Sequence, residues 1–185
     1  MKKIVFVMLV LFAATTISAQ TRKMNIQKSV ITWTGKKVTG EHVGTITIKE
    51  GALIFKNGKV VGGSFVADMT TLNNIDQSGK DKLKLEGHLK SSDFFNVEAF
   101  NTSLLVFKSI AEKEKNHYAV TADLTIKGIT NPVKFDLMTK ENSAVAKLTV
   151  DRTKYGIQYG SGSFFDDLGD RTIYDNFELN VDLKF

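Results

Sequence analysis

Three stretches of the chain alternate apolar and polar side chains with a period of two. Tyr118, Val120, Ala122, Leu124 and Ile126 oppose Thr121, Asp123, Thr125 and Lys127, and Val133, Phe135 and Leu137 oppose Lys134 and Asp136. At the C-terminal end Ile173, Phe177, Leu179, Val181, Leu183 and Phe185 oppose Asn176, Glu178, Asn180, Asp182 and Lys184. Successive side chains of a strand point to opposite faces, so each stretch predicts a strand with one dry and one wet face. Asn57-Gly58, between Leu53–Lys56 and Lys59–Val61, is a strong hairpin signal because both residues tolerate positive φ. Further strands are expected over Ile26–Thr34, His42–Lys49, Lys59–Met69, Ala99–Ser109 and Ala144–Asp151, with a turn over Gly128–Pro132 and a charged hairpin loop over Glu112–Asn116.

One segment departs from this rhythm. Ser78-Gly-Lys-Asp81 has the form of a capping box, and Leu85 and Leu89 lie four apart on one helical face, which predicts a short helix over 79–90. Eight or nine antiparallel strands around one helix make an all-β fold, a barrel or a sandwich. An eight-stranded barrel is just wide enough to be filled by side chains or to hold one small ligand.

The N-terminus reads as a targeting segment. Met1-Lys2-Lys3 is followed by the apolar run Ile4–Ala14 and then by Thr15–Ala19, the pattern of a secretory signal cut before Gln20. The apolar run is too short for a transmembrane helix, which needs about 20 residues. Residues 1–19 are therefore expected to be a signal peptide, 20–185 the functional domain, and the protein periplasmic or secreted. Removing two lysines from 25 bases leaves 23 against 20 acids, so the high pI implies no polyanion and no nucleic acid as partner.

Cysteine is absent, which removes disulfides, thiolate metal sites and thiol nucleophiles. His42, His88 and His117 lack metal-ligand spacing, and Asp166-Asp167-Leu-Gly-Asp170 lacks the spacing of a calcium loop. No phosphate-binding, dinucleotide or nucleophile-elbow motif occurs, and no metal or cofactor is expected. Phe94-Phe95 follows the helix, with Phe100 just beyond, and Phe164-Phe165 lies in a Gly/Ser-rich loop. Paired phenylalanines in connections either plug the ends of a core or close over a ligand. Ser92 and Asp93 could cap the turn beside them, and Asp151-Arg152 could pair to fix the following loop.

Gly87-His-Leu-Lys-Ser-Ser-Asp-Phe-Phe-Asn96 resembles the signature of the YceI-like family, lipid- or polyisoprenoid-binding proteins of bacterial periplasms. The likeness continues through Gly35–Gly44, Gly62–Met69, Asp123–Pro132 and Asp151–Gly156; at Asn101 the family usually has proline. The resemblance implies an extended, lipocalin-like, eight-stranded antiparallel barrel, with an isoprenoid or other amphiphile lying along its apolar interior. Alternation then nominates Trp33, Phe65, Leu85, Leu89, Phe94, Phe95, Phe107, Leu124, Phe135 and Phe177 as its lining, with His88 or Arg152 at the rim for a polar head group. Transient membrane contact and a homodimer would both suit such a protein. Two rival readings are a small outer-membrane barrel, disfavoured by the internal helix, by one Trp and four Tyr for its aromatic girdles and by several strands too short to span, and a lipid-modifying enzyme using His88 with Asp93 or Asp151.

Overall fold

The computed structural model describes residues 19–185, so the expected export signal lies, except for Ala19, outside the described residues. Nine strands follow in chain order: β1 (Gln20–Lys23), β2 (Val30–Lys37), β3 (Gly40–Lys56), β4 (Lys59–Asn74), β5 (Thr102–Glu114), β6 (His117–Ile126), β7 (Ile129–Lys140), β8 (Ser143–Asp151) and β9 (Ile173–Lys184). One helix, α1 (Gly79–Lys90), stands between β4 and β5. The sheet runs β3-β2-β9-β8-β7-β6-β5-β4, all antiparallel, and β4 pairs back onto β3, so eight strands close into a barrel. β1 is an addition to the far end of β3, at Ala52–Phe55, beyond the Gly40–Ile46 stretch that pairs with β2.

Turn chemistry sets the hairpins. Asn57 and Gly58 take φ of 53° and 76° and join Lys56 to Lys59 directly, as expected of Asn-Gly. Lys127 and Gly128, at 51° and 72°, do the same between Ile126 and Ile129. The expected turn over Gly128–Pro132 is therefore only two residues long, and Pro132 sits inside β7. It is tolerated there because β8 pairs with β7 only from Asp136 onward, leaving that side of Pro132 without a ladder to donate to. The charged loop expected over Glu112–Asn116 likewise shrinks to Lys115-Asn116, since Glu114 already pairs with His117.

Other boundaries move as well. The strand expected over Ile26–Thr34 divides into a 3₁₀ turn at Ile26–Lys28, capped by Asn25 Oδ1 accepting from Lys28 N, and then β2. β5 starts at Thr102 rather than Ala99, because the chain is still in the turn that follows α1. The helix occupies residues 79–90 as expected, but Ser78 makes no side-chain cap. Its carbonyl accepts from Lys82 N, and Gly79 enters the helix at positive φ.

The barrel is dry inside and charged outside. Along β6 Tyr118, Val120, Ala122, Leu124 and Ile126 are buried, each alternating with a more exposed neighbour. On the outer face of the neighbouring strands Lys113 pairs with Asp136, and Lys36 and Lys147 both reach Glu178. A membrane-spanning barrel has the reverse polarity, an apolar band towards lipid and a polar lumen. Of the grounds against a spanning barrel, strand length does not hold: β3 to β7 and β9 run from 10 to 17 residues.

Candidate functional site

Side chains do not fill the barrel. Two cavities remain. The lower, about 110 Å³, is walled by Phe65, Phe95, Phe107, Leu124, Phe135 and Phe177 with aliphatic neighbours such as Ile48, Ala146 and Leu148. The upper, about 260 Å³, lies beneath α1 and is lined by Trp33, Leu85, Leu89 and Phe94, again with Phe95 and Phe177. Ile46, Phe95, Phe177 and Leu179 belong to both walls. The chambers therefore share a wall, in which the rings of Phe95 and Phe177 stand edge-on, 6.3 Å between centroids. All ten side chains nominated as lining lie on one wall or the other.

Local structure explains why. On β9 the period of two sends Phe177, Leu179 and Val181 inward together. On α1 Leu85, His88 and Leu89 share a face at spacings of three and four, and that face covers the upper chamber. The chain then folds sharply: Ser91 O accepts from Phe94 N and Asn96 N, Phe95 N donates to Leu89 O, and Asn96 takes a positive φ of 48°. Ser91, rather than Ser92 or Asp93, closes this turn, with its Oγ donating to His88 O. Trp33 can lie flat across β3 only because residue 44 is glycine; a Cβ there would meet Asn73 O at 2.1 Å and the indole at 2.3 Å.

The basic groups of the upper wall are mostly paired. Lys36, Lys37, His42, His88 and Arg152 contribute to it, and of these Lys36 pairs with Glu178, His42 with Asp76 and Arg152 with Asp175. Two ring nitrogens, Trp33 Nε1 and His88 Nε2, are buried without a hydrogen-bond partner. An orphan of this kind costs about 1–3 kcal/mol unless something bound satisfies it. His88 instead meets rings, Phe94 at 5.7 Å and Tyr159 at 4.4 Å.

Arg152, expected at the rim, is instead 1% exposed. Its Nε donates to Tyr174 O, Nη1 to Ile157 O and Nη2 to Ile173 O, at 2.9–3.1 Å. Its ion pair is with Asp175, 3.6 Å away, whereas neighbouring Asp151 accepts from Thr153 N and Oγ1. Burial pushes the guanidinium pKa down, and the two carboxylates pull it back up. The residue clamps the loop after β8 to the start of β9, and its guanidinium lies 5.5 Å over the Phe94 ring. Phe164 and Phe165 also depart from expectation: each is about half exposed and neither lines a chamber. Tyr159 and His42 join the upper wall unforeseen. Tyr159 follows no period, and His42 was visible only as an isolated imidazole.

His42 Nδ1 is 2.8 Å from Asp76 Oδ2, and Asp76 also accepts from Val43 N and Asn74 Nδ2. Burial would raise the Asp76 pKa, but these donors more than offset it and hold the group below its ordinary 3.8. The stability it contributes is present above that ordinary value and is lost as pH falls through the depressed one. Asp76→Asn should therefore lower the urea midpoint near neutrality, and the gap from wild type should close on titration from about pH 6 to 2. A gap that stays constant with pH would contradict this.

A family model described as a YceI-like domain matches residues 22–185. A UPF0312 protein of Staphylococcus aureus (strain USA300) is 35% identical over 85 residues, covering 40% of this chain and 47% of the relative. A UPF0312 protein of Shewanella denitrificans is 32% identical over 91 residues, covering 49% and 46%. The chain thus spans about half the length of the curated relatives it matches. Among solved structures, BcnA of Burkholderia cenocepacia superposes with a TM-score of 0.65 at 18% identity, over 86% of this chain and 98% of BcnA. A polyisoprenoid binding domain from Saccharophagus degradans gives 0.61 at 11% identity, over 91% and 97%. The YceI protein of Campylobacter jejuni gives 0.55 at 12%, over 99% and 92%. At such identities the likeness concerns the fold.

Proposed function

The chain belongs to the YceI-like domain family, and on that premise we propose that it is an exported binding protein which holds a polyisoprenoid or similar amphiphilic lipid inside its barrel, for transport or storage. The observation that carries this reading is the pair of apolar chambers that adjoin at Phe95 and Phe177. A prenyl tail has no hydrogen-bonding groups, so a dry, aromatic-lined channel suits it, at about 25 cal/mol for each Å² removed from water. The head group belongs in the upper chamber. Indole Nε1–H can only donate, so the group must offer a hydrogen-bond acceptor.

A catalytic reading finds less support. His88 would need Asp93 or Asp151 beside it, but Asp151 is committed to Thr153 and the neighbours of His88 are aromatic rings.

Trp33 is the sole tryptophan and lines the upper chamber, so its fluorescence reports occupancy. An isoprenoid quinone added to delipidated protein should quench it to saturation at one equivalent per chain. Lipid extracted from the purified protein should contain an amphiphile detectable by mass spectrometry. At ligand concentrations near 100 Kd, unfolding should cost about 2.7 kcal/mol more than for the empty protein. Absence of both quenching and extracted amphiphile would overturn the proposal.

A further inference from the structure

The barrel end that carries the upper chamber exposes several large apolar side chains. Among the described residues, nine large apolar side chains are exposed by 48% or more, and all but Val61 and Met138 stand on segments framing that chamber. Val38 is in the β2–β3 turn, Ile75 leads into α1, and Leu83, 69% exposed, is on the outer face of α1. Tyr159, Phe164, Phe165 and Tyr174 occupy the loop after β8 and the start of β9. These segments are tied together: Val38 N donates to Thr172 O, Ile75 N to Val43 O, and the Tyr159 ring packs on His88 of α1. Tyr159 and Tyr174 line the chamber while half exposed, so the cavity and this apolar rim form one continuous surface.

We propose that this rim docks on the headgroup face of a zwitterionic phospholipid bilayer, inserting Leu83, Phe164 and Phe165. An amphiphile then passes between bilayer and upper chamber without crossing water. The idea of transfer rests on the lipid-holding reading above; the docking itself does not. Charges of both signs are interleaved with the apolar groups. Lys80 and Lys84 are exposed and share the outer face of α1 with Leu83, Lys37 precedes Val38, and Asp166 and Asp167 follow Phe165. The core of a protein–protein interface sheds such charges. A zwitterionic headgroup layer complements them, offering phosphate to the lysines and an amine to the aspartates, while leucine and phenylalanine reach the acyl boundary. Tyrosine is at home at that depth.

Vesicles of phosphatidylethanolamine and phosphatidylcholine supply the test. Wild-type protein should float with them, and a Leu83→Ser, Phe164→Ser, Phe165→Ser triple variant should lose about tenfold or more of that binding. Because the three side chains are exposed, the variant should keep the wild-type thermal midpoint and the quenching of Trp33 by an isoprenoid quinone presented in detergent micelles. Quinone uptake from vesicles should fall in step with flotation. Failure of the wild type to float, or flotation of the variant equal to wild type, would overturn the proposal. A wild-type dimer that the triple substitution converts to monomer, without any vesicle binding, would overturn it in favour of a second copy on this face. Flotation lost in the variant while quenching is absent from both proteins would uphold docking and sink the lipid-holding reading instead.

Discussion

Arg152→Ala should lower the free energy of unfolding by about 3–5 kcal/mol, the range for removing one partner of a buried, hydrogen-bonded charge pair. The size follows from what the truncation abandons. Three carbonyl oxygens, of Ile157, Ile173 and Tyr174, lose their donor inside the protein, and Asp175 loses its cation. Water entering the vacated volume would recover part of this cost but not the clamp. Arg152→Lys separates charge from geometry, since an ammonium can keep the pairing with Asp175 yet cannot span three carbonyls set around a planar fork. It should fall between wild type and Arg152→Ala in urea denaturation. A loss below about 1 kcal/mol for Arg152→Ala would mean that the loop after β8 is held by other contacts.

The second large effect concerns ligand length. Ala146 on β8 faces the lower chamber, and Ala146→Phe would push a ring into that cavity of about 110 Å³. If about 100 Å² of tail is thereby left in water, the loss is about 2.5 kcal/mol, or roughly seventyfold in affinity. The effect should depend on the tail. A long-chain isoprenoid quinone must pass Phe95 and Phe177 to reach the lower chamber and should lose this affinity, whereas a short-chain one kept within the upper 260 Å³ should bind as to wild type. Quenching of Trp33, which lies on the upper wall, reads both titrations. Equal losses for both tails would show that the substitution had disturbed the barrel rather than shortened the channel.

Much of this architecture is legible in residue order. The β6 alternation and the Asn57-Gly58 turn predict a half-buried meander because pleat and turn conformation are local properties. Leu85 and Leu89 announce the helix for the same reason, and the ten lining residues follow from facing once the barrel is assumed. What escaped depends on tertiary partners. Pro132 reads as a turn until one sees that β8 stops short of it. Arg152 reads as polar rim because a guanidinium is ordinarily solvated, and its three acceptors lie 5 to 22 residues away in the chain. Phe164-Phe165 resembles Phe94-Phe95 in sequence, but only the latter follows a helix whose closing turn at Ser91 drives the rings inward.

The place of β9 in the sheet bears on how the barrel is made. It lies far from β2 in sequence, yet it pairs with β2 on one side and β8 on the other. A chain lacking residues 173–184 would therefore carry two bare ladders, along β2 and β8. The contacts from β2 to β8 join strands that follow one another in the chain, but the ring shuts only through a pairing of segments about 150 residues apart in sequence, as in Val30 with Asp182. Such non-local closure is slow and exposes sticky edges while it waits. Losing even this one strand would leave an aggregation-prone curl rather than a slightly smaller barrel.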